Sequence, residues 1–100
     1  MPELIEIIHQ PVRLRIMAAL VTLGKGDELD FTKLRELLEV TDGNLGAHLR
    51  KLEEAQYILM TKSFVDRKPR TYVSATEAGR DAFQNHVAAL QEIIIQNTKR

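Results

Sequence analysis

Cysteine is absent from this chain of 100 residues. That excludes disulfides, thiolate metal sites and a cysteine nucleophile, and it fits a cytoplasmic protein. No run of about 18 apolar residues occurs and no signal-peptide pattern opens the chain, so a membrane is not an expected partner. There is no glycine-rich phosphate loop. Internal repeats, linkers and low-complexity segments are also lacking, so residues 1–100 read as one domain with a modest single core. Net charge is missing too: 14 Lys and Arg balance 14 Asp and Glu. Taken alone, that balance argues against nucleic acid.

What is present changes the picture. With 44% hydrophobic and 28% charged residues the chain is globular. The charges are unevenly spread. Residues 1–40 hold five Lys/Arg and seven Asp/Glu, whereas residues 41–74 hold six and four. The positive excess therefore sits in one segment, and it is small.

That segment begins inside the stretch Phe31 to Ile58, which reads as two helices and a tight turn followed by a strand. The first helix, Phe31 to Leu38, has apolar Phe31, Leu34, Leu37 and Leu38; Glu39 and Val40 form the turn. The second opens at Thr41, an N-cap residue type, with Asp42 in the favourable first turn, and runs to Glu54. At about 100° per residue Leu45, Leu49 and Leu52 share one narrow face. The opposite face holds Gly43, Asn44, Ala47, Arg50, Lys51 and Glu54. Each glycine costs roughly 1 kcal/mol against alanine inside a helix, so Gly43 and Gly46 suggest close backbone approach to something outside. Asn can pair bidentately with adenine, and Arg and Lys serve phosphates or guanine. A core-anchored helix with a small, polar outer face fits the major groove of DNA. Its own charge is slightly negative, with Asp42, Glu53 and Glu54 against Arg50 and Lys51.

Before this stretch, Leu4, Ile5 and Ile8 form a short helical stripe, with a break near His9 and Gln10. A helix then runs from Pro11, suited to a first turn, to Leu23, with Val12, Ile16, Ala19, Leu20 and Leu23 on its apolar face. Gly24 and Gly26 end it. Leu29 can pair as a very short strand, and Asp30 or Thr32 can cap the next helix. After it, Tyr57 to Phe64 and Thr71 to Ser74 favour strands, with "VDRKPR" as the turn and Asp66 and Pro69 as turn residues. This hairpin carries Lys62, Arg67, Lys68 and Arg70 against Asp66. Four cations at a turn point to phosphate or minor-groove contact. A last helix, from an N-cap at Thr76 to Gln96, repeats Phe83, Val87, Leu90 and Ile94 at four, three and four residues, with Ala82, Ala89 and Ile93 broadening the stripe. It is too long for the rest of the domain to cover. Its second half, with Leu4, Ile5 and Ile8, is expected to meet a second copy of the chain. The polar tail Gln96 to Arg100 is expected to fray.

The order helix, short strand, helix, helix, strand, basic turn, strand, long helix resembles a winged helix-turn-helix. The chain is similar to small stand-alone transcriptional regulators of the MarR/ArsR-like kind. The likeness rests on "TDGNLGAHLRKLEEAQYI" (Thr41–Ile58), "KSFVDRKPRTYVSATEAGRDAF" (Lys62–Phe83) and "HQPVRLRIMAAL" (His9–Leu20). It implies an α+β fold, mainly α. The helix-turn-helix would span 31–54 and the wing 57–74, with dimerisation helices at 1–10 and 77–96. It further implies a homodimer on double-stranded DNA, without catalysis or cofactor. The matching positions are Thr41, Asp42, Gly43, Asn44, His48 and Lys51 in the helix, and Lys62, Arg67, Lys68, Pro69, Arg70 and Thr71 in the wing. Three residues depart from the pattern. Gln56 stands for a usual Gly, which requires a left-handed residue or a different helix end. Gly46 stands for Ser, removing a hydroxyl contact to phosphate, and Ala75 stands for Leu.

Within that frame Asn44 and Ala47 are the candidates for base contact. Gly43 and Gly46 permit the approach, and Arg50, Lys51, Lys62, Arg67, Lys68 and Arg70 neutralise phosphates. His48 lies on the helix shoulder, either packed under Tyr57 or donating to a phosphate. His9, His48 and His86 lie on separate elements with no nucleophile or carboxylate partner, so neither enzyme nor metal site is expected, and His86 reads as solvated. The rival to a DNA-binding regulator is a protein-interaction module of the same fold, with the basic hairpin on an acidic partner; zero net charge favours it. A small-molecule effector at the dimer seam is a third expectation, and with no separate sensor domain its identity is open.

Overall fold

A computed structural model describes residues 2–98 of the protein; Lys99 and Arg100 of the polar tail lie outside the described residues. Five helices and three strands follow in the order α1 (Glu6–His9), α2 (Pro11–Thr22), β1 (Leu29–Asp30), α3 (Phe31–Leu38), α4 (Asp42–Glu54), β2 (Ile58–Val65), β3 (Lys68–Ala75) and α5 (Glu77–Thr98). The strands form one antiparallel sheet in the order β1-β3-β2. This is a winged helix. Among the described residues, no helix is long and apolar enough to cross a membrane.

Local chemistry explains the boundaries. The Gln10 side chain accepts from the Arg13 amide ahead of Pro11, and α2 ends one residue before the expected Leu23. Asp30, not Thr32, caps α3 by accepting from the Thr32 amide at 2.7 Å. Thr41 caps α4 by accepting from the Asn44 amide at 3.1 Å. Thr76 does the same for α5 through the Gly79 amide at 2.9 Å. Each such cap contributes about 1 kcal/mol.

At the end of α4, Gln56 takes the left-handed conformation, φ 65°. Its amide donates to the Glu53 carbonyl, and the Tyr57 amide reaches back to the Leu52 carbonyl at 3.0 Å. This is the paired closure that normally uses glycine. A side chain there costs on the order of 1 kcal/mol. Gln56→Gly is therefore expected to stabilise the protein by roughly 0.5–1 kcal/mol, read as a rise of a few degrees in Tm. A fall in Tm would mean the Gln56 side chain holds something the backbone does not require.

The hairpin is longer and tighter than the sequence suggested. Register runs from Ile58 opposite Ala75 to Val65 opposite Lys68, leaving only Asp66 and Arg67 as the turn. Both have positive φ, 52° and 67°. These are the angles of the two-residue turn whose twist matches the flanking strands. Pro69 is thus a strand residue opposite Phe64, not a turn residue. It lies beyond β1, which pairs only with Tyr72 and Val73, so its missing N–H breaks no ladder bond.

The core joins Ile16, Met17 and Leu20 of α2, Leu34 and Leu38 of α3, Leu45, Leu49 and Leu52 of α4, Ile58 of β2, Val73 of β3 and Ala82 of α5. Burial of each large side chain stabilises by about 1.5–3 kcal/mol. Ile8 belongs to this cluster at 0% exposure, so it cannot touch a second copy as the sequence had suggested. Ile5 and Phe83 are also packed against the core and only partly accessible.

On α5 the face turned to the domain is Gly79, Ala82, His86 and Ala89. The large apolar stripe of Phe83, Val87, Leu90 and Ile94 lies one residue around the helix. Its first three members are half-buried and Ile94 is 60% exposed. Small residues let α5 approach the body closely and leave the larger ones at the side.

Candidate nucleic-acid interface

The turn between α3 and α4 is made by Glu39 in the left-handed conformation, φ 54°, with its amide bonded to the Arg35 and Glu36 carbonyls. An ion pair of 2.8 Å between Arg35 and Asp42 spans the turn. Being largely exposed, it adds at most about 1 kcal/mol. Asp42 therefore serves the angle between the helices. Beyond it Gly43, Asn44, Arg50 and Lys51 are exposed and Gly46, Ala47 and His48 are half-buried. A Cβ on Gly43 would meet nothing within 4 Å, and one on Gly46 only the Arg50 guanidinium at 3.7 Å. Packing inside the chain does not demand either glycine.

Within the chain the polar partner of His48 is Arg13. Its Nδ1 lies 3.1 Å from Nη1 of Arg13. A guanidinium can only donate, so Nδ1 accepts and the ring proton sits on Nε2. Burial first, then the charges of Arg13 and Lys51, lowers the His48 pKa below 6.5. Arg13 also donates from Nε to the Ile7 carbonyl, so one side chain links α1, α2 and α4.

In the wing, Lys62, Arg67 and Lys68 are exposed and make no ion pair among the described residues. Arg70 differs from the expectation of a free phosphate ligand: it donates to Asp30 at 2.7 Å. It anchors the wing root to β1 because Asp30 is the nearest acid on the adjoining strand. Burial pushes the Asp30 carboxyl up. The Arg70 guanidinium and the Thr32 and Lys33 amides outweigh that and hold it below 3.8. Thr71 and Lys68 line a cleft of about 360 Å³ between this anchor and the start of α3.

The arrangement holds further residues that sequence reasoning missed. Arg80 on α5 donates to the Val21, Leu23 and Gly24 carbonyls, satisfying the end of α2. No local signal could reveal this, since the partners lie more than 50 residues away. His86, expected in solvent, is 0% exposed. Its Nδ1 accepts the Ile5 amide at 2.8 Å, and its Nε2 lies 3.2 Å from Nδ1 of His9. Because Nδ1 accepts, the neutral ring carries its proton on Nε2 and donates to His9. A metal at Nε2 would need that proton moved to Nδ1, against the Ile5 amide. The pair is a hydrogen-bonded strap between α1 and α5. Among the described residues, no three side chains of metal-ligand type come together.

Burial first and the His9 ring second lower the His86 pKa below 6.5. The neutral form is the native one, so its contribution is complete above about pH 6.5 and is lost as the pH falls through the depressed folded value. His48 acts in the same direction. Unfolding midpoints in urea are expected to fall between about pH 7 and 5, and His86→Gln should flatten the profile. An unchanged slope in that variant would remove His86 as the cause.

A winged helix with a half-exposed second helix and a basic hairpin defines the class of DNA-binding domains with this fold. The family described as winged helix DNA-binding domain matches residues 12–94, and the chain belongs to it. An uncharacterised protein of Methanocaldococcus jannaschii is 35% identical over 88 residues, covering 88% of this chain and 92% of that one. A transcriptional regulator homologue from Pyrococcus horikoshii OT3 superposes with a TM-score of 0.82 at 31% identity, over 94% of this chain and 89% of the other. A PadR family transcriptional regulator from Eggerthella lenta shares the fold, with a TM-score of 0.65 at 18% identity over 92% and 85%.

Proposed function

We propose that the protein is a cytoplasmic, homodimeric regulator of transcription, of the MarR/ArsR-like kind, that reads double-stranded DNA by sequence. α4 enters the major groove with Asn44 and Ala47 toward the bases, while Arg50 and Lys51 meet phosphates. Lys62, Arg67 and Lys68 bring the wing to the backbone beside it. The observation that carries this is the outer face of α4: two glycines that the fold does not need, beside an exposed Asn44, on a helix fixed to the core by three buried leucines.

Dimerisation is supported by the second half of α5. Ile93, Ile94 and Ile95 are 42%, 60% and 57% exposed, and Leu4 adds 42% from the N-terminal segment. A second copy would cover these and set two α4 helices into successive major grooves, about 34 Å apart. Ile7, 37% exposed, is a better seam residue than Ile8.

Salt dependence of binding tests the proposal. Binding to genomic duplex fragments should weaken steeply with salt, and Lys62→Ala or Arg67→Ala should each reduce the log–log slope by about 0.9. Arg70→Ala should move the slope less, since Asp30 already holds that side chain. No binding at low salt would favour the protein-interaction module instead; binding with unchanged slopes would take the wing off the DNA.

A further inference from the structure

We infer that the wing meets the minor groove through an apolar wedge, the Phe64 ring backed by Pro69, with Lys62 and Arg67 on the flanking phosphates. The inference rests on the DNA-binding reading above and adds a contact that charge alone does not suggest.

Phe64 is 76% exposed, the most exposed large hydrophobic side chain among the described residues. The fold does not use it: it lies near the hairpin tip, outside the core and the residues packed on it. Strand alternation fixes its side. Ile58, Met60, Lys62 and Phe64 share one face of β2, and their partners Ala75, Val73, Thr71 and Pro69 share that face of β3. Ile58 and Val73 enter the core that contains Leu45, Leu49 and Leu52, with Met60 packed on it. The Phe64 face therefore continues outward from the face that, at the root of the hairpin, packs on the core shared by the helices. Counting outward from a two-residue turn, Phe64 and Pro69 form a pair without mutual backbone bonds, where opposed side chains come closest.

The surroundings choose the occupant. Lys62, Arg67 and Lys68 lie close by in sequence, and Asp66 is the only acid between residues 55 and 76. Like charge disfavours a second wing on this patch. The minor groove offers the complementary chemistry: anionic phosphate rims over sugar walls that present mostly carbon. Apolar side chains entering from a basic element open that groove. The two-residue turn presents the ring on a short, twisted ribbon.

Hydroxyl-radical footprinting, which reads sugar accessibility in the minor groove, tests this on a bound duplex alongside a salt titration. The wild-type protein should protect sugars beside each major-groove contact. Phe64→Ala should lose that protection and bind about 10-fold more weakly, as for loss of one aromatic contact to nucleic acid. Its salt slope should stay unchanged, because no charge is removed, and its Tm should stay unchanged, because the ring is exposed. Arg67→Ala should show the opposite pattern, with a lower slope and the footprint retained. Wild-type affinity and footprint in Phe64→Ala overturn the wedge, and so does a change in its oligomeric state, which would put the ring on protein. Wild-type protein that binds no duplex at low salt sinks the DNA reading itself.

Discussion

Gly79→Ala is expected to lower the Tm by about 10 °C or more, the largest effect of alanine at any glycine of this chain. A Cβ at Gly79 would overlap the Tyr57 carbonyl oxygen and lie 2.8 Å from its carbon. Both partners are backbone, so no side chain can swing aside. Nor can Tyr57 retreat freely. Its carbonyl accepts the Thr76 amide at 3.0 Å, while the Thr76 hydroxyl donates to the Gln56 carbonyl at 2.7 Å and accepts the Gly79 amide. These bonds fix the start of α5 against the end of α4. Relieving the clash must separate the two helices, at about 3 kcal/mol or more, out of a total stability on the order of 5–10 kcal/mol. Thermal unfolding by circular dichroism measures it. A Tm within about 2 °C of wild type would show that α5 does not seat on Tyr57 this closely.

Ile94→Glu is expected to convert the proposed dimer into a monomer at micromolar concentration and to weaken binding to a two-half-site duplex by about 100-fold or more. The reason is position. Ile94 is 60% exposed on the part of α5 beyond the last buried residue, Ala89. The domain itself does not need it, so its Tm as a folded monomer should barely change. A carboxylate buried at a two-fold seam meets its own copy, and two desolvated like charges oppose association. Each half-site alone then has only the weak electrostatic attraction of a chain with zero net charge. Light scattering on the wild type and the variant decides it. A wild-type monomer at these concentrations, or a variant that stays dimeric, would move the seam elsewhere.

The parts of the fold that were legible in the sequence are those with local causes. The α3–turn–α4 boundaries follow from a Thr41 cap, a leucine repeat and the chemistry of a two-residue turn, all within about 25 residues. The strained Gln56 was visible as well, because a helix that closes this way needs a left-handed residue at that position. What escaped depends on partners distant in the chain. Arg70 meets Asp30 across 40 residues and His9 meets His86 across 77. Neither residue type at its own position announces the other. The face of α5 was legible in part. The apolar pattern included Ala82 and Ala89 but gave most weight to the large side chains, whereas the helix seats on Gly79, Ala82 and Ala89, whose smallness is what permits contact. The candidate DNA face was legible as a list of residues, but the difference between Arg70, which is tied to Asp30, and Arg67, which is free of ion pairs among the described residues, needed coordinates.

Selection of duplexes from a randomised pool by the purified protein tests the central proposal most directly. A homodimer reading sequence through α4 will enrich a roughly two-fold symmetric site, with half-sites about one helical turn apart. Asn44→Ala will relax the preference at one position in each half while leaving the salt slope nearly unchanged. A pool that stays random after repeated rounds, or a preference identical in Asn44→Ala, would contradict recognition by this helix.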